Sequence, residues 1–431
     1  MWRKADPAAA TTGAGPAGRT EFHPVKRAVL WTMLMIWSVA VPACAASPCP
    51  APQPPDGLQT FYKALSDLKS GARQRPVTVL HLGDSHIALD HLTGELRSRG
   101  AAVFGDGGRG LVPGVPYAYY APQGYQIRMS GNWRVASSLT GKEPGPFGIS
   151  GYRIETADAD AEISLVSDHD IGTVEIEAYG GPETGAILLT LGTAAPLKLQ
   201  TRLEKPGPVF LRVPAGGARE VRLRVAGGGP VRLLGWTMEG VKSGFRYDSY
   251  GISGATLEVV DHWDEAIVEA EIRRLAPDLI LLGYGTNEGF NDHADAGAYG
   301  RRFSQLVKRL QHLAPEASIG VLGALDGARR AKPTDRLLCS NGWATPPKLG
   351  VLRDVQRGIA RQSGIFFEDM SRVMGGTCGI ARWVDAEPPL AWPDHVHLRP
   401  EGARLAGAML WQDLMGVFES TALSCIRNPK G

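Results

Sequence analysis

The most constraining feature of the sequence is the passage VTVLHLGDSHIALDHLTGELRSRG, Val77 to Gly100, where a run of strand formers stops at Gly83-Asp84-Ser85 and gives way at once to helical spacing. After Ser85, apolar residues recur at Leu89, Leu92 and Leu96, and Gly100 stands where such a helix would end. A capped turn explains this, because Asp84 or Ser85 could satisfy the free N–H groups of a helix start. A nucleophile presented at the turn explains it equally well. The choice depends on what the rest of the chain supplies.

The same strand-to-helix alternation resumes far downstream. A helix-like stretch from Leu257 to Leu275 precedes the apolar strand DLILLGYGTN, and Tyr299, Phe303, Leu306, Val307, Leu310 and Leu313 mark one face of a second helix. SIGVLGAL and IFFEDM read as further strands, with a helix around Leu349 to Ile359 between them and a last helix after Pro400. Such alternation predicts a parallel sheet covered on both faces. Between Leu111 and Phe245 the texture changes: VEIEAY, AILLTL, VFLRVP, EVRLRV and VRLLGW are short alternating runs between Gly and Pro clusters, the pattern of an antiparallel β-sandwich. The predicted organisation is a leader over 1–45, an α/β domain in two parts over 46–110 and 246–431, and an inserted all-β, jelly-roll-like module over 111–245. The glycine-rich FGDGGRG lacks the Gly-Lys-Ser/Thr of a phosphate loop and is expected to be a loop near the site.

Charge excludes one class of partner. The chain has 46 Lys and Arg against 44 Asp and Glu over 431 residues, and the excess lies in the leader, so nucleic acid is not expected. In that leader Lys26 and Arg27 precede an apolar run from Ala28 to Val41 and then Ala43-Cys44-Ala45, the pattern of an export signal. The run is short against the roughly 20 apolar residues of a spanning helix, which favours cleavage, with an N-terminal anchor the lesser reading. Pro42 argues against Cys44 as a lipid-attachment site. An exported chain with Cys49, Cys339, Cys378 and Cys425 remaining permits two disulfides in any of three pairings. None of these cysteines has zinc-ligand spacing, and neither metal nor cofactor is expected.

Four separated pieces then need a common explanation: GDSH with Ser85, YGISGAT with Gly254, GYGTNEGF with Asn287, and WPDHVHLRPEG with Asp394 and His397. Each alone reads as a turn, a cap or a structural histidine. Together and in this order they resemble the SGNH/GDSL hydrolase family, over roughly Val77 to Leu111 and Phe245 to Phe418. The resemblance implies a three-layer α/β/α, flavodoxin-like domain with its site at the carboxyl ends of the strands. It implies Ser85 as nucleophile, His397 as its base and Asp394 as the carboxylate orienting that base, with Ser85, Gly254 and Asn287 forming the oxyanion hole. The chemistry needs these types, since a serine hydroxyl attacks only when an imidazole takes its proton, and the imidazolium needs a carboxylate. The Asp-x-x-His spacing selects His397 over His395, and neither His395 nor His86 receives a role.

Two departures from the usual family pattern, Gly-Asp-Ser-His in the first motif and the β module before the second, are similar to those of the bacterial peptidoglycan O-acetylesterases, which carry a carbohydrate-binding-module-like insertion. That similarity implies an exported, periplasmic or extracellular serine esterase removing O-acetyl groups from N-acetylmuramoyl residues. The same acyl-enzyme could instead deliver acetyl to a sugar hydroxyl, as an O-acetyltransferase, and an inactive wall-binding protein is the non-enzymatic alternative. Tyr117, Tyr119, Tyr120 and Trp133 are stacking candidates for glycan at the module's edge, or else core aromatics. The implied partner is an O-acetylated glycan; the sequence specifies no oligomeric state.

Overall fold

The structure, a computed structural model, describes residues 54–112 and 122–427. The leader over 1–45, Cys49, and Tyr117, Tyr119 and Tyr120 lie outside the described residues.

Five strands, β1 (Val77–Gly83), β2 (Phe245–Gly251), β3 (Leu279–Gly283), β4 (Ser318–Gly323) and β5 (Phe366–Asp369), form one sheet. Every pairing is parallel, and the order across the sheet is β2-β1-β3-β4-β5. This is the flavodoxin-like 2-1-3-4-5 order. Alternate side chains of the central strands enter two different cores, as the period of two requires. Val77 and Val79 of β1 and Leu279 and Leu281 of β3 face α1 (Gln59–Lys69), α2 (His91–Phe104) and the last helix, α6 (Pro400–Arg427). Leu80, Leu82, Ile280 and Leu282 face α3 (Glu265–Leu275), α4 (Ala296–Leu313) and α5 (Pro347–Ser363). Each fully buried Leu, Ile or Val in these layers contributes roughly 1.5–3 kcal/mol of transfer free energy.

Two helices differ from the sequence reading. The expected single helix after Ser85 is a four-residue turn, Ser85–Ala88, and then α2, which runs on to Phe104. Asp90 causes the break: it sits in the left-handed region at φ 53°. Its buried carboxylate accepts from Arg97 at 2.9 Å and Arg109 at 2.8 Å, and those two cations hold it well below the usual carboxylate range in spite of burial. Gly100 is interior to α2, not at its end. The stretch from Leu257 divides likewise into a 3-10 turn, Leu257–His262, and α3, because Asp264 caps α3 through a 3.1 Å bond from Ile267 N.

Between β1 and β2 the chain builds an antiparallel sheet of nine strands. The alternating runs recognised in the sequence lie on its strands, but VFLRVP and EVRLRV belong to one 19-residue strand, Gly207–Val225, which pairs with another of 19 residues, Glu162–Gly180. Register irregularities between Val166 and Thr173 let these two long strands carry hydrogen bonding from one layer to the next. The two layers of the expected sandwich are therefore halves of one continuous sheet, closed on a core that includes Ile163, Leu165, Val174 and Ile176. Trp133 packs against that core, and its Nε1 donates to Ser130 O at 3.0 Å. That favours the packing role over glycan contact. The module is also docked to the α/β layers: Arg274 of α3 donates to both carboxylate oxygens of Glu175, and the described residues fall in one compact unit. FGDGGRG does not lie near the strand carboxyl ends. Asp106 bridges to Phe245, the first residue of β2, at the opposite end of the sheet.

Candidate active site

The site begins with the close approach of three strand ends. Gly251, at the end of β2, lies against the turn that follows β1, where a Cβ would stand 2.2 Å from Ala88 N and 2.4 Å from Asp84 O; only glycine allows this contact. The turn itself is capped by Asp84, whose Oδ1 accepts from His86 N at 3.0 Å. The capped-turn reading thus holds, and the cap fixes the turn on which Ser85 stands.

The loop before α6 brings the remaining groups to Ser85. His397 Nε2 lies 2.9 Å from Ser85 Oγ, and His397 Nδ1 lies 2.7 Å from Asp394 Oδ2. An ionised carboxylate can only accept, so Nδ1 carries the proton and Nε2 is left to accept from the serine hydroxyl. Burial pushes Asp394 up, but the His397 side chain and the Val396 and His397 N–H groups, each 3.0 Å from Oδ1, outweigh it and hold the carboxyl below its ordinary value. Gly254 follows β2 at φ 81°, a conformation that suits glycine. Asn287 follows β3 and donates from Nδ2 to Ala255 O at 2.8 Å, and Glu288 accepts from Leu257 N at 2.6 Å. Burial drives the Glu288 carboxyl up to about 7 against the pull of that N–H bond.

All five residues singled out in the sequence, Ser85, Gly254, Asn287, Asp394 and His397, line one cavity of about 610 Å³ together with Leu89, Ser253, Trp392 and Val396. The cavity opens at the carboxyl ends of β1, β2 and β3, beside the point where the strand order reverses. Among the described residues no group of three or more His, Cys, Asp or Glu converges as a metal site requires, and no helix is long and apolar enough to cross a membrane.

Two residues that the sequence left without roles are placed. His86 is buried, with Nδ1 3.1 Å from Asp84 Oδ1 and Nε2 3.0 Å from Val396 O. Both acceptors lack protons to give, so the geometry calls for hydrogen on both ring nitrogens, as in an imidazolium. Burial opposes that charge, but Asp84 and the Val396 carbonyl prevail and raise the His86 pKa. His395 stacks on Trp343 with ring centroids 3.6 Å apart. Trp343 lies in the segment stapled by the Cys339–Cys378 disulfide, one of the pairings the sequence permitted. The sequence singled out the histidine in GDSH without showing its partner, because Val396 lies 310 residues away.

A serine, an imidazole and a carboxylate hydrogen-bonded in series at the carboxyl edge of a 2-1-3-4-5 sheet define the class, a hydrolase of the three-layer α/β/α kind. Residues 225–405 match the family model of the GDSL-like Lipase/Acylhydrolase family. Over that stretch, the later part of the α/β domain, the chain is similar to the GDSL-like lipases and acylhydrolases, and together with the Ser85, His397 and Asp394 series this supports an esterase. A solved peptidoglycan O-acetylesterase shares the fold at TM-score 0.70 and 22% identity, over 85% of this chain and 99% of that one. Looser likenesses are a family two carbohydrate esterase from Cellvibrio japonicus (TM-score 0.27, 12% identity, 67% of this chain and 98% of that one) and an acetyl xylan esterase (TM-score 0.29, 15% identity, 39% and 79%). Comparison with curated protein sequences gives no match.

Proposed function

We propose that the protein is an exported acetylesterase that removes O-acetyl groups from a glycan, most specifically the O-acetyl groups on the N-acetylmuramoyl residues of peptidoglycan. The observation that carries this reading is the reach of the likeness to a peptidoglycan O-acetylesterase, which takes in 85% of the chain and so extends over much of the β module as well as the hydrolase layers. The Lys26-Arg27 and Ala43-Cys44-Ala45 leader supports export, and the Cys339–Cys378 disulfide fits an oxidising compartment.

In the reaction, His397 Nε2 takes the proton of Ser85 Oγ as that oxygen bonds to the acetyl carbonyl carbon. The negative charge formed on the carbonyl oxygen is met by the N–H groups of Ser85 and Gly254 and by the second amide hydrogen of Asn287, the first being given to Ala255 O. Each such donor is worth about 2.7–4 kcal/mol. Collapse expels the sugar oxygen, which takes the proton from His397 and leaves acetyl on Ser85. Water, deprotonated by His397, then attacks that ester, and acetate departs as Ser85 Oγ regains its proton. Asp394 stabilises the imidazolium at both stages.

The test is acetate release from O-acetylated peptidoglycan by wild type and Ser85→Ala. We expect release by wild type and a fall of roughly four to six orders of magnitude in the variant. Net transfer of acetyl to added glycan in place of acetate release would make the protein a transferase, and glycan binding without turnover of any acetate ester would make it a binder.

A further inference from the structure

We propose that Trp392 is a stacking platform for a pyranose ring, so that the cavity recognises the sugar bearing the ester as well as the ester. The inference rests on the glycan reading above and names the residue that would confer it.

Trp392 is 41% exposed and is the one aromatic residue in the exposed class among those described. It lines the cavity that holds Ser85 and His397. That cavity, about 610 Å³, is of the size that encloses a whole small ligand and is far larger than an acetyl group needs. The indole is also held in place. Trp392 N donates to His397 O at 2.8 Å and its carbonyl accepts from His395 N at 3.0 Å, so the ring rides on the turn that carries Asp394 and His397. The Arg399 guanidinium lies over the ring, 4.3 Å from its centroid, which leaves the opposite face to be approached from the cavity. A pyranose offers a face of C–H groups whose positive edge suits the negative face of an indole, and a Trp held by packing gives contact area at low entropic cost. The other residues of the cavity wall are aliphatic (Leu89, Val396), small or polar, so no other side chain there supplies a flat apolar surface.

The experiment has two readouts. In a Ser85→Ala background, binding of soluble peptidoglycan fragments is measured with Trp392, Trp392→Phe and Trp392→Ala. In the active background, kcat/KM for acetylated fragments is divided by kcat/KM for a small aliphatic acetate ester, which has no ring to stack. We expect Trp392→Ala to weaken fragment binding and lower the ratio at least ten-fold, through KM more than kcat, and Trp392→Phe to restore part of both. Fragment binding indifferent to Trp392→Ala, or an equal fall on both esters with no rescue by Phe, would overturn the proposal. Trp392-dependent binding of fragments from which wild type releases no acetate would refute the proposed reaction and leave the platform standing. Absence of fragment binding by the Trp392 parent would refute the platform.

Discussion

Replacing His86 tests whether the first motif holds the last in place. The ring is 8% exposed and Asp84, its partner, 2% exposed, so their interaction is little screened. His86→Ala removes two charge-assisted hydrogen bonds, each worth about 1.5–3 kcal/mol, and leaves the Asp84 carboxylate with the His86 backbone N–H at 3.0 Å but without its cation. Breaking a buried charged pair from one side costs about 3–5 kcal/mol, and that is the expected loss of stability. The loss should depend on pH. Because the His86 pKa is raised in the folded protein, its contribution is fully present below the unfolded value near 6.5 and is lost as pH rises through the folded value. The Asp84 pKa is lowered, burial notwithstanding, by His86, so its contribution is present above about 3.8 and is lost in acid. The difference between wild type and His86→Ala should therefore be largest near pH 5–6 and shrink in alkali.

Catalysis adds a second signature. Val396 stands between His395 and His397, so releasing its carbonyl from His86 loosens the turn that places His397 2.9 Å from Ser85. A displacement of about 1 Å costs on the order of 100-fold in rate. His86→Gln, whose amide can still donate to Val396 O but carries no charge, should recover much of the activity without restoring the pH dependence. Urea unfolding at pH 5.5 and 9.5, with kcat/KM on a small acetate ester, makes the comparison. A stability deficit equal at both pH values would show that His86 is a neutral packing residue, and the reasoning would fail.

Two further substitutions address the scaffold. Gly100→Ala should gain about 1 kcal/mol of helix propensity, yet its Cβ would stand 2.0 Å from the buried Phe245 ring and overpacking costs about 1–3 kcal/mol; thermal unfolding should show net destabilisation, and a variant as stable as wild type would contradict the packing. At the junction of module and hydrolase layers, burial pushes the carboxyls of Glu177 and Glu271 up, that of Glu271 to about 8, and the neighbouring Glu271 pushes Glu177 further, so the pair keeps a proton. A raised carboxyl makes the folded state the better proton binder above the free value of about 4.5, so stability falls as pH rises from there through neutrality, by about 1.4 kcal/mol per unit for one retained proton. Glu271→Gln should flatten that slope in urea midpoints measured between pH 5 and 7, and an unchanged slope would count against a shared proton.

The sequence disclosed four strands of the sheet because they are buried on both faces and read as near-continuous apolar runs, as in VTVLHL and LILLG, whereas Arg246, Asp248 and Ser249 hid the edge strand β2. The resemblance of four short motifs singled out Ser85, Gly254, Asn287, Asp394 and His397, and the fold brings all five to one cavity. What it hid has a common physical character. Asp90 breaks a helix that its neighbours favour, through cations that arrive from Arg97 and Arg109. The two 19-residue strands look like separate short ones because Pro214, Gly216 and Gly217 punctuate one of them, and only the register irregularities show how the ladder passes the interruption. In each case a deciding partner, Arg109 nineteen residues on from Asp90 or the facing long strand, lies outside the window over which periodicity can be read.

The same distinction separates the parts of the site. The motifs that hold the hydroxyl, the imidazole and the carboxylate are short and contiguous, so their resemblance to a known family can be seen in the sequence. His86 and Trp392 act through a backbone carbonyl and an open ring face, which any sequence could place and only the fold can aim. If His86 carries a charge whose partner is Asp84, then the Gly-Asp-Ser-His order is itself a structural unit: Asp84 caps the turn, Ser85 faces the cavity, and His86 reaches across to Val396 to hold the opposite wall. The histidine that ends this motif then has a physical reason. A leucine could pack at that position but could not restrain a carbonyl on the loop that carries His397.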